Sequence, residues 1–188
     1  MMFDMSSAWV RRFLPLIPRG SLPVLDLACG EGRHLRLLIG NAYRATGVDK
    51  RMVGLADLLG DPSLEFIQRD LEDAQQDGSD WPFEGRQFAG VIVSNYLYRP
   101  ILPKLPGLLA PGGILLYETF MTGHERFGQP SNPDYLLQPN ELLAAFMDEL
   151  EVVAFEQGEI GSPRQAMVQR IAARRPSPND PGTSIPSP

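Results

Sequence analysis

The fold is decided by residues 24–34, which read Val24-Leu25-Asp26-Leu27-Ala28-Cys29-Gly30-Glu31-Gly32-Arg33-His34. An apolar run of strand length passes directly into a turn with two glycines and then into a helical pattern. This arrangement places backbone N–H groups and the start of a helix beside the end of a strand, where a nucleotide-like ligand binds well. The stretch therefore predicts a cofactor site around Gly30 and Gly32.

Asp26 indicates which kind of cofactor this turn accepts. Its carboxylate lies inside the strand, four residues before the first glycine of the turn. A carboxylate at this place repels a diphosphate and attracts a cationic amino group. The residues therefore favour a cofactor that is positively charged at this point and carries no phosphate.

The pattern Asp26-x-x-x-Gly30-x-Gly32 after an apolar strand resembles motif I of the class I S-adenosylmethionine (SAM)-dependent methyltransferases. The resemblance extends over most of the chain and is nearest to the small bacterial methyltransferases of the tellurite-resistance type. It implies SAM as the cofactor, and transfer of a methyl group by direct displacement to an O, N or S atom of a small molecule.

An NAD-dependent oxidoreductase on a related Rossmann fold is the main alternative. The dinucleotide fingerprint G-x-G-x-x-G requires a third small residue where the helix packs on the strand. Leu35 stands at that position, and Asp26 is unfavourable beside a pyrophosphate, so both residues favour the methyl donor. A non-enzymatic SAM-binding protein stays open as a third hypothesis, because direct displacement needs no obligate catalytic residue.

Composition and charge restrict the partners of the chain. It has 188 residues, of which 43% are apolar and 21% charged, and its net charge is −6. An acidic chain lacks general attraction to nucleic acid, so a small-molecule substrate is favoured and nucleic acid disfavoured. Cys29 is the only cysteine, which excludes an internal disulfide and a thiolate metal cluster; we expect no metal. Without a clean signal sequence or a membrane-spanning run, we expect a cytoplasmic protein with no membrane partner. The oligomeric state is left open.

The alternation of apolar strands with helical patterns predicts an α/β fold with a doubly wound parallel sheet. Strands are predicted at residues 22–28, 43–48, 64–68, 88–94, 114–119, 152–156 and 165–173. Helices are predicted at residues 7–16, 31–39, 51–59, 101–109 and 139–150, the fourth interrupted by prolines, and a turn at residues 111–113. The resemblance implies a Rossmann-like, seven-stranded and mostly parallel sheet with an antiparallel C-terminal hairpin. We expect residues 1–175 to form this domain and residues 176–188 to be a disordered tail.

Further candidate site residues stand at the carboxyl ends of the predicted strands. Asp49 ends the second strand and is predicted to accept the ribose hydroxyls, with a helix N-cap for the residues from 51 onward as the alternative. The resemblance implies that Asp70 contacts the adenine amine and Leu71 the adenine ring. Asn95 stands where the reactive methyl group points, and we expect it to hold the substrate or the methionine part of the cofactor. The sequence Asn95-Tyr96-Leu97 lacks the prolines of the methyltransferases that act on planar amino groups, which counts against adenine-N6 and glutamine-N5 methylation.

A long polar loop follows the fifth strand and is expected to lie over the site. His124 in this loop is the candidate catalytic residue, a general base for a hydroxyl, thiol or amine. A loop histidine without a role is the alternative. His34, at the start of the first crossover helix, is expected to neighbour the cofactor. Arg99 is a candidate for binding a substrate carboxylate, with an ordinary solvated arginine as the alternative.

Overall fold

Seven strands form a single sheet in the computed structural model, which describes residues 6–73 and 81–178 of the chain. They are β1 (Val24–Leu27), β2 (Ala45–Asp49), β3 (Leu64–Gln68), β4 (Phe88–Ser94), β5 (Leu109–Phe120), β6 (Glu151–Ile160) and β7 (Ala166–Arg174). Their order in the sheet is β3-β2-β1-β4-β5-β7-β6. Neighbours among β1 to β5 pair in parallel, and β7 is antiparallel to β5 and β6. The predicted α/β sheet with its antiparallel C-terminal hairpin is confirmed.

Four α-helices lie within the described residues and cover both faces of the sheet. They are α1 (Ala8–Phe13), α2 (Arg33–Gly40), α3 (Leu105–Leu108) and α4 (Glu141–Phe146). The buried side chains of α1 and α2 belong to one apolar cluster, and those of α3 and α4 belong to another. Because helices cover both faces, the first six residues of β4 are all buried, as its continuous apolar sequence predicts.

The leading helix begins where the sequence predicts it and packs against the core. The Ser7 side chain caps α1 by accepting the Trp9 and Val10 N–H groups at 3.1 and 3.3 Å. Trp9 and Phe13 are 2% and 0% exposed, and the Trp9 indole N–H donates to the Ile171 carbonyl. These aromatic side chains therefore pack in the core.

The predicted helix at residues 51–59 is wrong, because this segment forms only turns. Gly54 lies in its middle with a φ of +72°, a left-handed conformation that no α-helix continues through. Met52 and Val53 are about half exposed, whereas Leu55 and Leu58 are buried. The segment therefore packs over the start of α2 as an irregular connection, with Leu55 and Leu58 against Gly32.

Other boundaries differ locally from the predicted ones. The predicted turn at residues 111–113 lies within β5, where the register with β4 shifts and Gly112 has a φ of +79°. The predicted proline-interrupted helix is confirmed as a 3-10 segment, Arg99–Lys104, followed by α3. In the predicted tail, residues 179–188 lie outside the described part of the chain, so the disorder stays a prediction.

Candidate functional site

The turn between β1 and α2 forms the centre of the candidate site. Gly30 and Gly32 have φ values of +55° and +77°, which favour glycine. A Cβ atom placed on Gly30 would meet no atom within 4 Å, so the turn faces open space there. A Cβ atom on Gly32 would lie 2.4 Å from Leu55 Cδ2, inside a packed contact. Gly30 therefore leaves room for a ligand, and Gly32 allows residues 51–59 to pack on the turn.

Asp26 lies behind this turn in an environment that fits a cationic group. It is 1% exposed, and its Oδ2 has no hydrogen-bond partner among the described residues. Its Oδ1 lies 3.8 Å from His34 Nδ1. A buried carboxylate oxygen without a partner is costly, so an ammonium group bound there would be favoured. Burial is the largest cause that raises the pKa of the Cys29 thiol, and the charges of Asp26 and Asp49 raise it further. This thiol is therefore unreactive.

Asp49 fastens the glycine turn to the end of β2. Its Oδ2 accepts the Gly30 N–H at 2.9 Å, and its Oδ1 accepts the Arg51 N–H at 3.0 Å. No helix follows, so the alternative of a helix N-cap is wrong, and the carboxylate instead closes a short side-chain turn. Each oxygen keeps a second lone pair, which leaves acceptor capacity for ribose hydroxyls. The ribose contact stays a prediction.

The candidate adenine residues follow β3 and meet the segment after β4. Asp70 Oδ1 accepts the Glu72 N–H at 3.0 Å, and Leu71 is 4% exposed within the apolar cluster that contains Leu97. Burial above all, and next the charges of Glu72 and Asp70, raise the pKa of the Tyr96 phenol, which hydrogen-bonds to Glu72. Tyr96 thus joins the two segments. The adenine contacts of Asp70 and Leu71 stay predictions.

Two residues that are not glycine hold left-handed backbone conformations at the site. Ala28 follows β1 with a φ of +56°, and Asn95 follows the adjacent strand β4 with a φ of +55°. Such conformations cost about 1–2 kcal/mol for a residue with a Cβ atom, and they concentrate at ligand-binding sites. Asn95 is exposed, and its N–H donates to the Glu118 carbonyl at 3.0 Å. The sequence weakly indicates a left-handed conformation at Asn95, because asparagine adopts it more readily than most residues, and does not indicate one at Ala28.

A network of polar side chains, which the sequence does not predict, runs from the glycine turn across the sheet. Arg33 donates to Ser94 Oγ at 2.7 Å, and the Ser94 hydroxyl donates to Glu118 Oε1 at 3.3 Å. Glu118 Oε2 lies 3.2 Å from Arg170 Nε, and both side chains are largely buried. In the sequence, the only indication of this network is Glu118, an acidic residue inside the apolar run of β5.

His124 does not have the surroundings of a general base. The ring is 2% exposed and stacks on Phe120 with centroids 4.1 Å apart. Nδ1 accepts the Met167 N–H at 3.3 Å, so the proton of the neutral ring lies on Nε2, which faces the Gln129 carbonyl at 3.2 Å. Both nitrogens are thus engaged by the backbone. The catalytic role stays a prediction that this geometry argues against, because the ring is buried and both of its nitrogens contact the protein backbone.

Arg99 is also committed to the protein itself. Its guanidinium makes two hydrogen bonds to Glu141, at 2.7 and 3.0 Å, and donates to the carbonyls of Asp134 and Leu136. These contacts fasten the long loop after β5 to α4, so they account for Arg99 without a substrate.

The described residues offer no better candidate for a site elsewhere. No group of three or more His, Cys, Asp or Glu side chains in residues 6–73 and 81–178 is arranged to hold a metal ion. Within the same residues, none of the helices has the length and apolar character needed to cross a membrane. A cavity of about 440 Å³ between Trp81 and Lys104 lies at the amino ends of β4 and β5, the opposite edge from the glycine turn. The candidate site is therefore the one at the carboxyl ends of the strands.

The strand order and the glycine turn define the class of fold, which is that of the class I SAM-dependent methyltransferases. The structure is similar to TehB from Haemophilus influenzae, with a TM-score of 0.67 and 18% identity over 93% of this chain and 63% of that one. It is also similar to the [4+2]-cyclase SpnF, with a TM-score of 0.64 and 15% identity over 90% of this chain and 78% of that one. The resemblance to tellurite-resistance methyltransferases is thus confirmed for the fold. Because a cyclase shares the fold, the fold alone does not show the reaction.

Sequence comparison adds a distant relative. The tRNA U34 carboxymethyltransferase of Methylococcus capsulatus is 30% identical over an alignment of 129 residues, and the match covers 62% of this chain. The chain spans 38% of the length of that relative. No protein-family model matches the chain.

Proposed function

We propose that the protein is a SAM-dependent methyltransferase that acts on a small molecule. The observation that carries this proposal is the buried Asp26 oxygen, which has no partner within residues 6–73 and 81–178, beside a glycine turn that faces open space. An ammonium group satisfies that oxygen, whereas a pyrophosphate would be repelled by it. SAM carries an ammonium group and no phosphate, so the donor set fits it.

The residues of the site divide the binding of this cofactor among them. Asp26 receives the ammonium group, Asp49 accepts the ribose hydroxyls, and Asp70 and Leu71 hold the adenine ring. Asn95 faces the substrate side, next to the reacting methyl group. When bound, SAM supplies a methyl group on a sulfonium, which already has a good leaving group. The protein then has to align the acceptor with the methyl group and exclude water, so we propose no catalytic base.

An NAD-dependent oxidoreductase is the alternative that binding measurements separate most directly. Isothermal titration calorimetry with S-adenosylhomocysteine and with NADH compares the two cofactors on one protein. We expect S-adenosylhomocysteine to bind and NADH to bind far more weakly. Binding of NADH without S-adenosylhomocysteine would overturn the proposal.

A nucleic-acid acceptor is a second candidate, because the curated relative acts on tRNA. The charge of −6 argues against it, and so does the pairing of Arg170 in β7. The Arg170 guanidinium faces the carboxylates of Glu118 and Glu156, which compensate its positive charge. Mass spectrometry of a panel of small acceptors and bulk tRNA, incubated with SAM, identifies the acceptor. Methylated tRNA alone would select the second candidate, and no product with any acceptor would favour a non-enzymatic SAM-binding protein. The cytoplasmic location stays a prediction.

A further inference from the structure

His34 joins the cofactor-binding acid to the start of the leading helix. It lies in the first turn of α2 and is 2% exposed. The Ser7 N–H donates to His34 Nε2 at 3.2 Å. On its other side, His34 Nδ1 lies 3.8 Å from Asp26 Oδ1. One buried ring therefore stands between the N-cap residue of α1 and the carboxylate at the end of β1.

The Ser7 contact fixes the tautomer of the ring. A nitrogen that accepts a backbone N–H carries no proton, so the proton of the neutral imidazole must lie on Nδ1. That nitrogen lies 3.8 Å from Asp26 Oδ1, an electrostatic contact longer than a hydrogen bond. Asp26 Oδ1 thus faces a fixed donor, while Oδ2 stays without a partner among the described residues.

We infer that His34 is a positioning residue that aims the free oxygen of Asp26 at the ammonium group of the ligand. The inference rests on the proposed function and adds a named route from the cofactor site to α1. The Nδ1–H dipole stabilises the carboxylate in one orientation, and the Ser7 N–H prevents the ring from flipping. His34 acts through Asp26 and does not touch the ligand.

Two substitutions test the two ring nitrogens of His34 separately. His34→Gln places an acceptor near the position of Nε2 and loses the donor that faces Asp26. His34→Asn places a donor near the position of Nδ1 and loses the acceptor for the Ser7 N–H. The asparagine side chain is one methylene shorter than glutamine, so lost packing alone would make His34→Asn the more damaging variant, the opposite of the order that the inference predicts.

The probes are S-adenosylhomocysteine and 5′-methylthioadenosine, a ligand with the same nucleoside but without the ammonium group. We expect His34→Gln to weaken the binding of S-adenosylhomocysteine about fivefold, the effect of losing a buried electrostatic contact longer than a hydrogen bond. It should leave the binding of 5′-methylthioadenosine unchanged. His34→Asn should keep S-adenosylhomocysteine binding within about twofold of the wild-type value. In an Asp26→Asn background, the difference between the two variants should vanish.

The outcomes separate this inference from the proposed function. If the wild-type protein binds no S-adenosylhomocysteine, both are overturned. If it binds the ligand and His34→Gln weakens both probes equally, only the inference is overturned, because His34 then supports the fold in general. The ¹⁵N chemical shifts of the wild-type ring give an independent test that needs no variant. A proton on Nε2 in place of Nδ1 would also overturn the inference.

Discussion

Replacing Asp49 by asparagine tests whether this residue reads the ribose. In the structure both carboxylate oxygens accept backbone N–H groups, from Gly30 at 2.9 Å and from Arg51 at 3.0 Å. Asparagine has one acceptor oxygen and no charge, so it keeps one of these bonds at most. If Asp49 also accepts the ribose hydroxyls, Asp49→Asn weakens that contact as well.

The magnitude follows from the chemistry of the contact. A hydrogen bond to a charged group contributes about 1.5–3 kcal/mol, which corresponds to a change of about 10- to 100-fold in affinity. We therefore expect Asp49→Asn to weaken the binding of adenosine by about 10- to 100-fold. The variant should bind 2′,3′-dideoxyadenosine as the wild-type protein does, because that nucleoside has no hydroxyls to lose. The preference for adenosine over the dideoxy analogue should disappear.

The assay is an NMR titration of both nucleosides into the wild-type protein and two variants. Asp61→Asn is the matched control, because Asp61 Oδ1 accepts the Ser63 N–H at 2.8 Å in a similar turn before β3, away from the site. This control should keep the wild-type preference. If Asp49→Asn also keeps the full preference for adenosine, Asp49 only closes the turn and the ribose is bound elsewhere.

Three further predictions concern stability and the loop. Gly32→Ala should lower the free energy of unfolding in urea by about 2–5 kcal/mol, because a left-handed φ and the contact with Leu55 both oppose a Cβ atom; an unchanged midpoint would contradict this. His124→Leu should lower the free energy of unfolding by about 1–3 kcal/mol and leave turnover per folded molecule unchanged. A variant of wild-type stability that has lost turnover would instead show that His124 acts as a general base. The hydrogen bond from Arg86, as the largest cause, lowers the pKa of Glu65 below its ordinary 4.5, so this pair stabilises the fold above pH 4.5 and the stability is lost as the pH falls below it. Because Glu65 is half exposed, Arg86→Gln should remove only about 0.5 kcal/mol at pH 7 and flatten the acid limb of unfolding curves.

Strands were easier to predict from this sequence than the segments that join them. β3 and β4 begin and end at the predicted residues, because β4 is an apolar run and β3 is a short segment of mostly apolar residues after the turn at Asp61-Pro62. The crossover after β2 carries apolar residues at helical spacing, but Gly54 breaks it, and a single glycine does not say which conformation it takes. The position of the antiparallel hairpin came from family resemblance, since strand order depends on contacts between distant parts of the chain.

The site was predictable in its residue types and much less so in its contacts. Asp49 follows an apolar run, and the structure brings its carboxylate to within hydrogen-bond distance of the predicted glycine turn. The burial of His124 was not predictable, because its ring is enclosed by Met167 of a strand more than forty residues away. The contact between His34 and Ser7 is equally non-local, joining residues 27 positions apart. Pattern indicates which strand end a residue occupies, and only tertiary packing determines what its side chain meets.

Leu35 shows how packing changes the meaning of a motif. In the dinucleotide fingerprint a glycine at this position of the helix allows close approach to the sheet. Here Leu35 is fully buried, and the space for its side chain comes from Gly47 of β2, where an added Cβ atom would lie 2.8 Å from Leu35 Cδ1. The small residue that allows close packing is therefore in strand β2, whereas the dinucleotide fingerprint has it in the helix. The absence of the third glycine is therefore compatible with a tightly packed α2, and it argues against NAD only together with Asp26. The proposed cofactor therefore rests on the Asp26 oxygen that has no partner among the described residues, and not on the count of glycines.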